Sequence, residues 1–320
     1  MSDLIVEATG LEKTYPVRRG EPVHAVRGVD LDVRAGEVFG LLGPNGAGKT
    51  TTVRMLATLT APTAGSARVA GHDLLREPRR VRERIGYVSQ AGGVDETVSG
   101  RENVVLAARL HGLSAREAAR RAAELLEVFA LTDVADRPAR TLSGGQRRRF
   151  ALAIGLAHRP ELIFLDEPTT GLDPRNRAAF WQEIRGLRDG GTAVLLTTHY
   201  LDEADALADR LAIVDHGRVV AAGTPGELKR RVSGDVITLR VPAADAEPAS
   251  RLLAAQPYVR EVGGDGGGLR AYVGDGDSAL PALLRAIEEG GLRVEAISLR
   301  RATLDDVFLR QTGRSLRDAA

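Results

Sequence analysis

The chain has no cysteine, which excludes disulfides, thiolate metal sites and a thiol nucleophile. Lysine is nearly missing too: Lys13, Lys49 and Lys229 are the whole complement, and arginine carries almost all other positive charge. No stretch approaches the roughly 18 uninterrupted apolar residues that span a bilayer, so a role at a membrane has to come through a partner. Neither sign of charge prevails. The 44 Lys and Arg against 43 Asp and Glu leave a net +1, which gives no chain-wide attraction to nucleic acid. Residues 1–10 lack the basic head and apolar core of a secretory signal. What remains is globular material: 320 residues, 43% hydrophobic and 27% charged, enough for one large domain plus a small one or for two medium ones.

Against that background one stretch stands out. Gly43-Pro44-Asn45-Gly46-Ala47-Gly48-Lys49-Thr50 is a G-x-x-x-x-G-K-T phosphate loop. An apolar run, Glu37 to Leu42, precedes it and reads as a strand; the periodic segment Lys49 to Leu59 follows it and reads as a helix. The three glycines let the backbone wrap a polyphosphate, so that successive amides and the positive end of the helix dipole point at one anion. Lys49 can reach the β and γ phosphates, Thr50 can place its hydroxyl on Mg²⁺, and Thr51 can help hold the phosphate at the α position. In a chain this poor in lysine, a compact ammonium stands where a guanidinium fork would be too bulky.

Leu4 to Ala8 and Val29 to Val33 alternate with the period of strands and predict a small antiparallel layer beside this loop. Tyr15 follows the first strand; from position alone it reads as a half-buried tyrosine rather than a platform for adenine. Ile85 to Ser89 is a strand delivering Gln90, a place where α/β sheets hold ligands although a lone glutamine there is usually just solvated. Arg101 to His111 and Ser114 to Phe129 read as two helices, the second opened by a Ser114-x-x-Glu117 capping box. Leu142-Ser143-Gly144-Gly145-Gln146 starts another helix: Ser143 is a good N-cap, and Gly144 and Gly145 leave amides open to an anion. Arg147, Arg148 and Arg149, which follow, read as a solvated face rather than a nucleic-acid site.

Glu161 to Leu165 is an apolar strand that ends in Asp166-Glu167, where one carboxylate can hold Mg²⁺ through water and its neighbour can take a proton from an attacking water. Thr170 to Pro174 is a loop before a helix, Arg175 to Arg188, with a core stripe of Phe180, Ile184 and Leu187; Trp181 beside it reads as packing. A buried strand, Thr192 to Thr197, leads to Thr198-His199, and His199 alone would more often be structural. Beyond Arg231 the order becomes β-α-β-β-α-β, the ferredoxin-like split order, with a last helix at Leu304 to Leu309.

Phosphate loop, Leu-Ser-Gly-Gly-Gln, strand-Asp-Glu-Pro and strand-Thr-His, in that order over residues 1–231, resemble the nucleotide-binding subunits of ABC transporters. The resemblance implies an α/β fold: an ABC-type P-loop ATPase cassette at 1–231, with a RecA-like core, an antiparallel β layer and a helical insert over about 92–158. A C-terminal α+β ferredoxin-like domain at 232–312 and a polar tail at 313–320 follow. It also implies roles. Tyr15 stacks on adenine; Gln90 contacts Mg²⁺ and the attacking water; Ser143, Gly144, Gly145 and Gln146 touch the γ phosphate. Asp166 holds the metal, Glu167 is the general base, Asp173 lies at a dimer contact, and His199 holds the γ phosphate.

The implied ligands are ATP and Mg²⁺. The implied assembly is a homodimer of cassettes in which the signature of one copy closes over ATP held by the other. It docks on a separately encoded membrane permease at the cytoplasmic face, with the cargo contacted mainly by the permease and no direct nucleic acid. Val94-Asp95-Glu96, Gly100-Arg101-Glu102-Asn103, Leu142 to Arg148 and Arg300 to Phe308 are similar to the ATPase subunits of daunorubicin-resistance-type drug exporters. An ATPase powering drug export is therefore expected. The rival expectations are a soluble ABC ATPase working on nucleic acid or the ribosome, or an exporter of lipid or glycan.

Overall fold

The structure, a computed structural model, describes residues 3–17, 20–232, 234–242, 245–265, 268–314 and 316. Most of the polar tail expected at 313–320 lies outside the described residues, as do residues 266–267 of the glycine-rich turn. The chain divides into two compact units after Ala222.

The first unit opens with strands β1 (Leu4–Tyr15), β2 (Val23–Arg34) and β3 (Val38–Leu42), then helix α1 (Lys49–Leu56). Strands β4 (Ala64–Val69) and β5 (His72–Asp73), helix α2 (Pro78–Arg84) and strand β6 (Ile85–Val88) follow. Three helices come next: α3 (Gly100–Leu110), α4 (Ala115–Val128) and α5 (Gly144–Gly155). Then come β7 (Leu162–Asp166), α6 (Pro174–Asp189), β8 (Ala193–Thr198), α7 (Leu201–Leu207), β9 (Arg210–Asp215) and β10 (Arg218–Gly223).

Strands β3, β7 and β8 are buried at every position, as a parallel sheet covered on both faces requires. The six-stranded sheet has the order β10-β9-β3-β8-β7-β6, with β3 parallel to β8 and β9, and β7 parallel to β8 and β6. Side chains alternate between its faces. Phe39, Leu41, Phe164 and Leu195 pack toward the antiparallel layer, ordered β2-β1-β4-β5. Val38, Ile163, Leu165 and Val194 pack toward the helical insert, through Val104, Leu125 and Phe150. Because the central strands run the same way, the loops after β3, β6, β7 and β8 all leave from one edge. The insert helices begin at Ser99-Glu102, Ser114-Glu117 and Ser143-Gln146 capping boxes; only the second was read as a box from sequence. Helices α2 and α7 were not anticipated.

The second unit holds α8 (Pro225–Val232), β11 (Asp235–Arg240), α9 (Ala246–Ala254), β12 (Val259–Asp265) and β13 (Gly268–Val273). It closes with α10 (Gly276–Glu289), β14 (Ala296–Arg300) and α11 (Leu304–Thr312). Its antiparallel sheet has the order β12-β13-β11-β14, the split arrangement the element order predicted. Ile237, Leu239, Ala271 and Val273 pack with Leu253, Leu283 and Ile287 of the two sheet-covering helices. The expected boundary at 231/232 is corrected here. Helix α8 packs on α11, and Arg260 and Arg310 donate to its Arg230 and Arg231 carbonyls at 3.2 and 3.3 Å. Those guanidiniums satisfy the carbonyls left open at a helix C-terminus, so α8 belongs with the second unit.

Candidate active site

Helix α1 starts without a side-chain cap and with no acid in its first turn, so the amides of its positive dipole end are open to an anion. Its N-cap, Gly48, has φ 103°, and a Cβ there would run into the Ala25 carbonyl oxygen; only glycine meets both demands. Lys49 Nζ donates to the carbonyls of Gly43 (2.7 Å) and Pro44 (3.0 Å) and stands 3.6 Å from Glu167 Oε1. Burial pulls this ammonium below the ordinary lysine range, opposed by the charge of Glu167.

Asp166 ends β7 and is buried. Its Oδ1 accepts the hydroxyls of Thr50 (2.9 Å) and Thr197 (2.7 Å). Thr197 Oγ1 also accepts the amide of Glu167 at 2.9 Å. That bond pins Glu167 at φ 47°, a left-handed backbone uncommon for a side-chain-bearing residue and found where geometry matters to function. Glu167 Oε2 then accepts from Gln90 Nε2 (3.2 Å) and Thr170 Oγ1 (3.3 Å). On the other side His199 Nδ1 approaches Glu167 Oε1 to 3.4 Å, yet that buried nitrogen makes no hydrogen bond.

Lys49, Thr50, Gln90 and Glu167 border a cleft of about 490 Å³ lined also by Tyr15 and the loop from Asn45 to Thr51, with Asp166 and His199 set behind Thr50 and Glu167. Tyr15 is 38% exposed, with the Lys13 ammonium 5.2 Å above its ring; it sits at the cleft, where a base could stack. Phosphate fits the uncapped helix start and the orphaned His199 nitrogen. A hard cation fits the Thr50–Asp166 oxygen pair. Among the described residues no group of three or more His, Asp or Glu could hold a metal by itself, so a cation here would complete its shell with phosphate oxygens and water, the habit of Mg²⁺.

Ser143, Gly144, Gly145, Gln146 and Asp173 are not part of that lining. Ser143 caps α5, accepting the Gln146 amide at 3.2 Å while Gln146 Oε1 accepts the Ser143 amide at 2.9 Å. Asp173 caps α6 through the Asn176 amide at 2.9 Å, and this bond holds its carboxyl below the usual range.

Sequence reasoning missed three contributors. From sequence Thr197 reads only as strand. Glu203 on α7 is fully buried and takes hydrogen bonds from Thr169 Oγ1 (2.7 Å) and Trp181 Nε1 (3.1 Å); burial raises its carboxyl above the ordinary range. The expected solvated face of three arginines is corrected: Arg147 pairs with Glu96 and Arg149 with Glu183, but Arg148 is buried and points its fork at backbone carbonyls. No local signal marks it, since an acceptor carbonyl belongs to every residue.

The family profile described as ABC transporter matches residues 26–170, and that of the "ATP-binding protein DrrA1-3-like, C-terminal domain" matches 223–312. The chain is 49% identical to the daunorubicin/doxorubicin resistance ATP-binding protein DrrA of Streptomyces peucetius, over 98% of this chain and 94% of that one. It is 40% identical to the Nod factor export ATP-binding protein I of Ralstonia nicotianae, over 98% and 95%. Among solved structures, the dimeric post-hydrolysis state of the ATP-binding cassette MJ0796 bound to ADP and Pi superposes with TM-score 0.63 and 28% identity, covering 68% of this chain and 98% of that one. The chain thus belongs to the ATP-hydrolysing subunits of the ABC transporter family, in their DrrA-like branch.

Proposed function

We propose that ATP hydrolysis in this cleft powers export of a drug or antibiotic-like molecule through a separately encoded membrane permease, to which the chain binds at the cytoplasmic face. The observation that carries the reading is that Lys49, Thr50, Gln90 and Glu167 line one cleft behind an uncapped helix start, with Asp166 bonded to Thr50 and His199 against Glu167 just behind them. Lys49 and the amides of Asn45 to Thr51 hold the phosphates; Tyr15 stacks on the base; His199 Nδ1 binds the γ phosphate. Thr50, Asp166 and, at its rim, Gln90 hold Mg²⁺, which when bound neutralises charge on the β and γ phosphates. Glu167, oriented by Gln90 and Thr170, accepts the proton of the attacking water.

Two copies form the working engine. The Ser143 helix tip and Asp173 face a second chain rather than their own cleft, in keeping with the dimeric cassettes among the structural neighbours. Among the described residues no helix is long and apolar enough to cross a membrane, so the path for the cargo lies in the partner. Relatives are named for unlike tasks, daunorubicin/doxorubicin resistance and Nod factor export, which fits a cassette that supplies energy and leaves cargo recognition to the permease.

The test pairs Glu167→Gln with a drug-accumulation assay in cells carrying the chain and its permease. Glu167→Gln should bind ATP and dimerise yet hydrolyse it about 10² to 10⁴ more slowly, and cells should retain a daunorubicin-like drug. Turnover at the native rate would refute the assignment of the base; drug retention unaffected by either form would refute drug export.

A further inference from the structure

Arg148 lies five residues beyond the Ser143 cap, on the same helix α5. Its side chain is 8% exposed and forms no ion pair among the described residues. Instead it donates to five main-chain carbonyls. Nε reaches Pro168 O at 2.5 Å, Nη1 reaches Ser89 O at 3.0 Å and Gln90 O at 3.1 Å, and Nη2 reaches Asp166 O at 3.3 Å and Glu167 O at 2.9 Å. Asp166, Glu167 and Glu203 balance the charge from a distance.

The two carbonyl sets belong to the two loops that carry Gln90 and Glu167. A rigid planar fork is the one side chain that can grip both at fixed separation. Its grip also brackets the left-handed φ 47° of Glu167, with bonds to the Asp166 carbonyl before it and to that residue's own carbonyl after it. The stem of the fork is a helix about 7.5 Å long between Ser143 and Arg148, too short to bend, so movement of the α5 tip moves the fork.

We propose that Arg148 is a positioning residue that ties phosphate contact at the Ser143 tip to the placement of Glu167 and Gln90 in the same chain. Because that tip would serve the ATP of the second copy, each nucleotide site reports through Arg148 to the other. This rests on the two-copy reading above. The link is mechanical: α5 turns as its tip engages, and the fork carries the base and the glutamine with it.

The experiment compares the full chain with Arg148→Gln and Arg148→Lys, measuring kcat, equilibrium ATP affinity, the Hill coefficient for ATP and thermal unfolding. Misplacing a catalytic group by about 1 Å costs on the order of a hundredfold. Arg148→Gln should therefore lose about a hundredfold in kcat, keep ATP affinity within about twofold, and drop from a native Hill coefficient above 1 to about 1. Arg148→Lys, which keeps the charge and loses the fork, should fall between and decides the matter if the glutamine variant does not fold. The proposal is overturned if both variants keep the native kcat and Hill coefficient, or if kcat falls only together with ATP affinity and thermal stability. ATP-dependent dimerisation of Glu167→Gln with Arg148 intact is the separate control. No dimer there sinks the two-copy reading, whereas a dimer with unaltered Arg148 variants sinks this proposal alone.

Discussion

Replacing Thr197 by valine would remove a single oxygen from a fully buried position. That oxygen donates to Asp166 Oδ1 at 2.7 Å and accepts the Glu167 amide at 2.9 Å. Losing a bond to a charged acceptor costs about 1.5–3 kcal/mol, and stranding a buried amide adds about 1–3 kcal/mol. Asp166 keeps the Thr50 hydroxyl at 2.9 Å, so the lower part of that sum applies, about 2.5–4 kcal/mol. The functional loss comes on top. Without its acceptor the Glu167 amide no longer holds φ at 47°, and a carboxylate that swings with a relaxing backbone should lose at least about tenfold in kcat. The assay is urea unfolding followed by fluorescence of Trp181, the only tryptophan, which sits in the cassette and so reports that unit's transition separately from the second unit's. Thr197→Ser, which keeps the oxygen, is the control and should retain most of both properties. A Thr197→Val protein with stability within about 0.5 kcal/mol of native and an unaltered kcat would refute the reasoning.

Other outcomes follow from the same geometry. Lys49→Ala removes a charged donor from the phosphate loop, and isothermal titration should show ATP affinity weakened by about 10- to 150-fold, the equivalent of about 1.5–3 kcal/mol. His158 stacks on His111 at 3.6 Å, its Nε2 donates to Ile85 O, and burial lowers its pKa to about 4. Its folded value lies below the unfolded one near 6.5, so the stability it contributes is complete above that pH and is lost as pH falls toward about 4. The melting temperature should drop across that window, and His158→Asn should flatten the drop. Glu203 has the opposite sign: burial raises its folded pKa, so stability is lost as pH rises through that value. Glu203→Gln keeps an acceptor for Thr169 and Trp181, and denaturation curves should show it at least as stable as native at neutral pH.

Much of this molecule could be read from local patterns. Buried runs such as Leu162 to Leu165, the cap at Ser114 and the glycines around Lys49 announce their conformation through neighbours a few residues away, because strand alternation, helix periodicity and turn sterics are short-range. The split order of the second unit followed from the same signals. Reading failed where acceptors were main-chain. The partners of Arg148 lie 18 to 59 residues away and are carbonyls that any side chain could have carried.

The amino-acid order alone thus settles the phosphate loop, the delivery of Gln90, Asp166, Glu167 and His199 at strand ends, and the type of each domain. Folding adds the convergence: which strand lies beside which, that α8 joins α11, that Thr197 clasps the backbone of Glu167, and that the Ser143 tip stays out of its own chain's cleft. The cause of the division is range. Torsional preference and hydrophobic period act within a turn or two of chain, whereas sheet order and buried polar contacts depend on how distant segments share one interior.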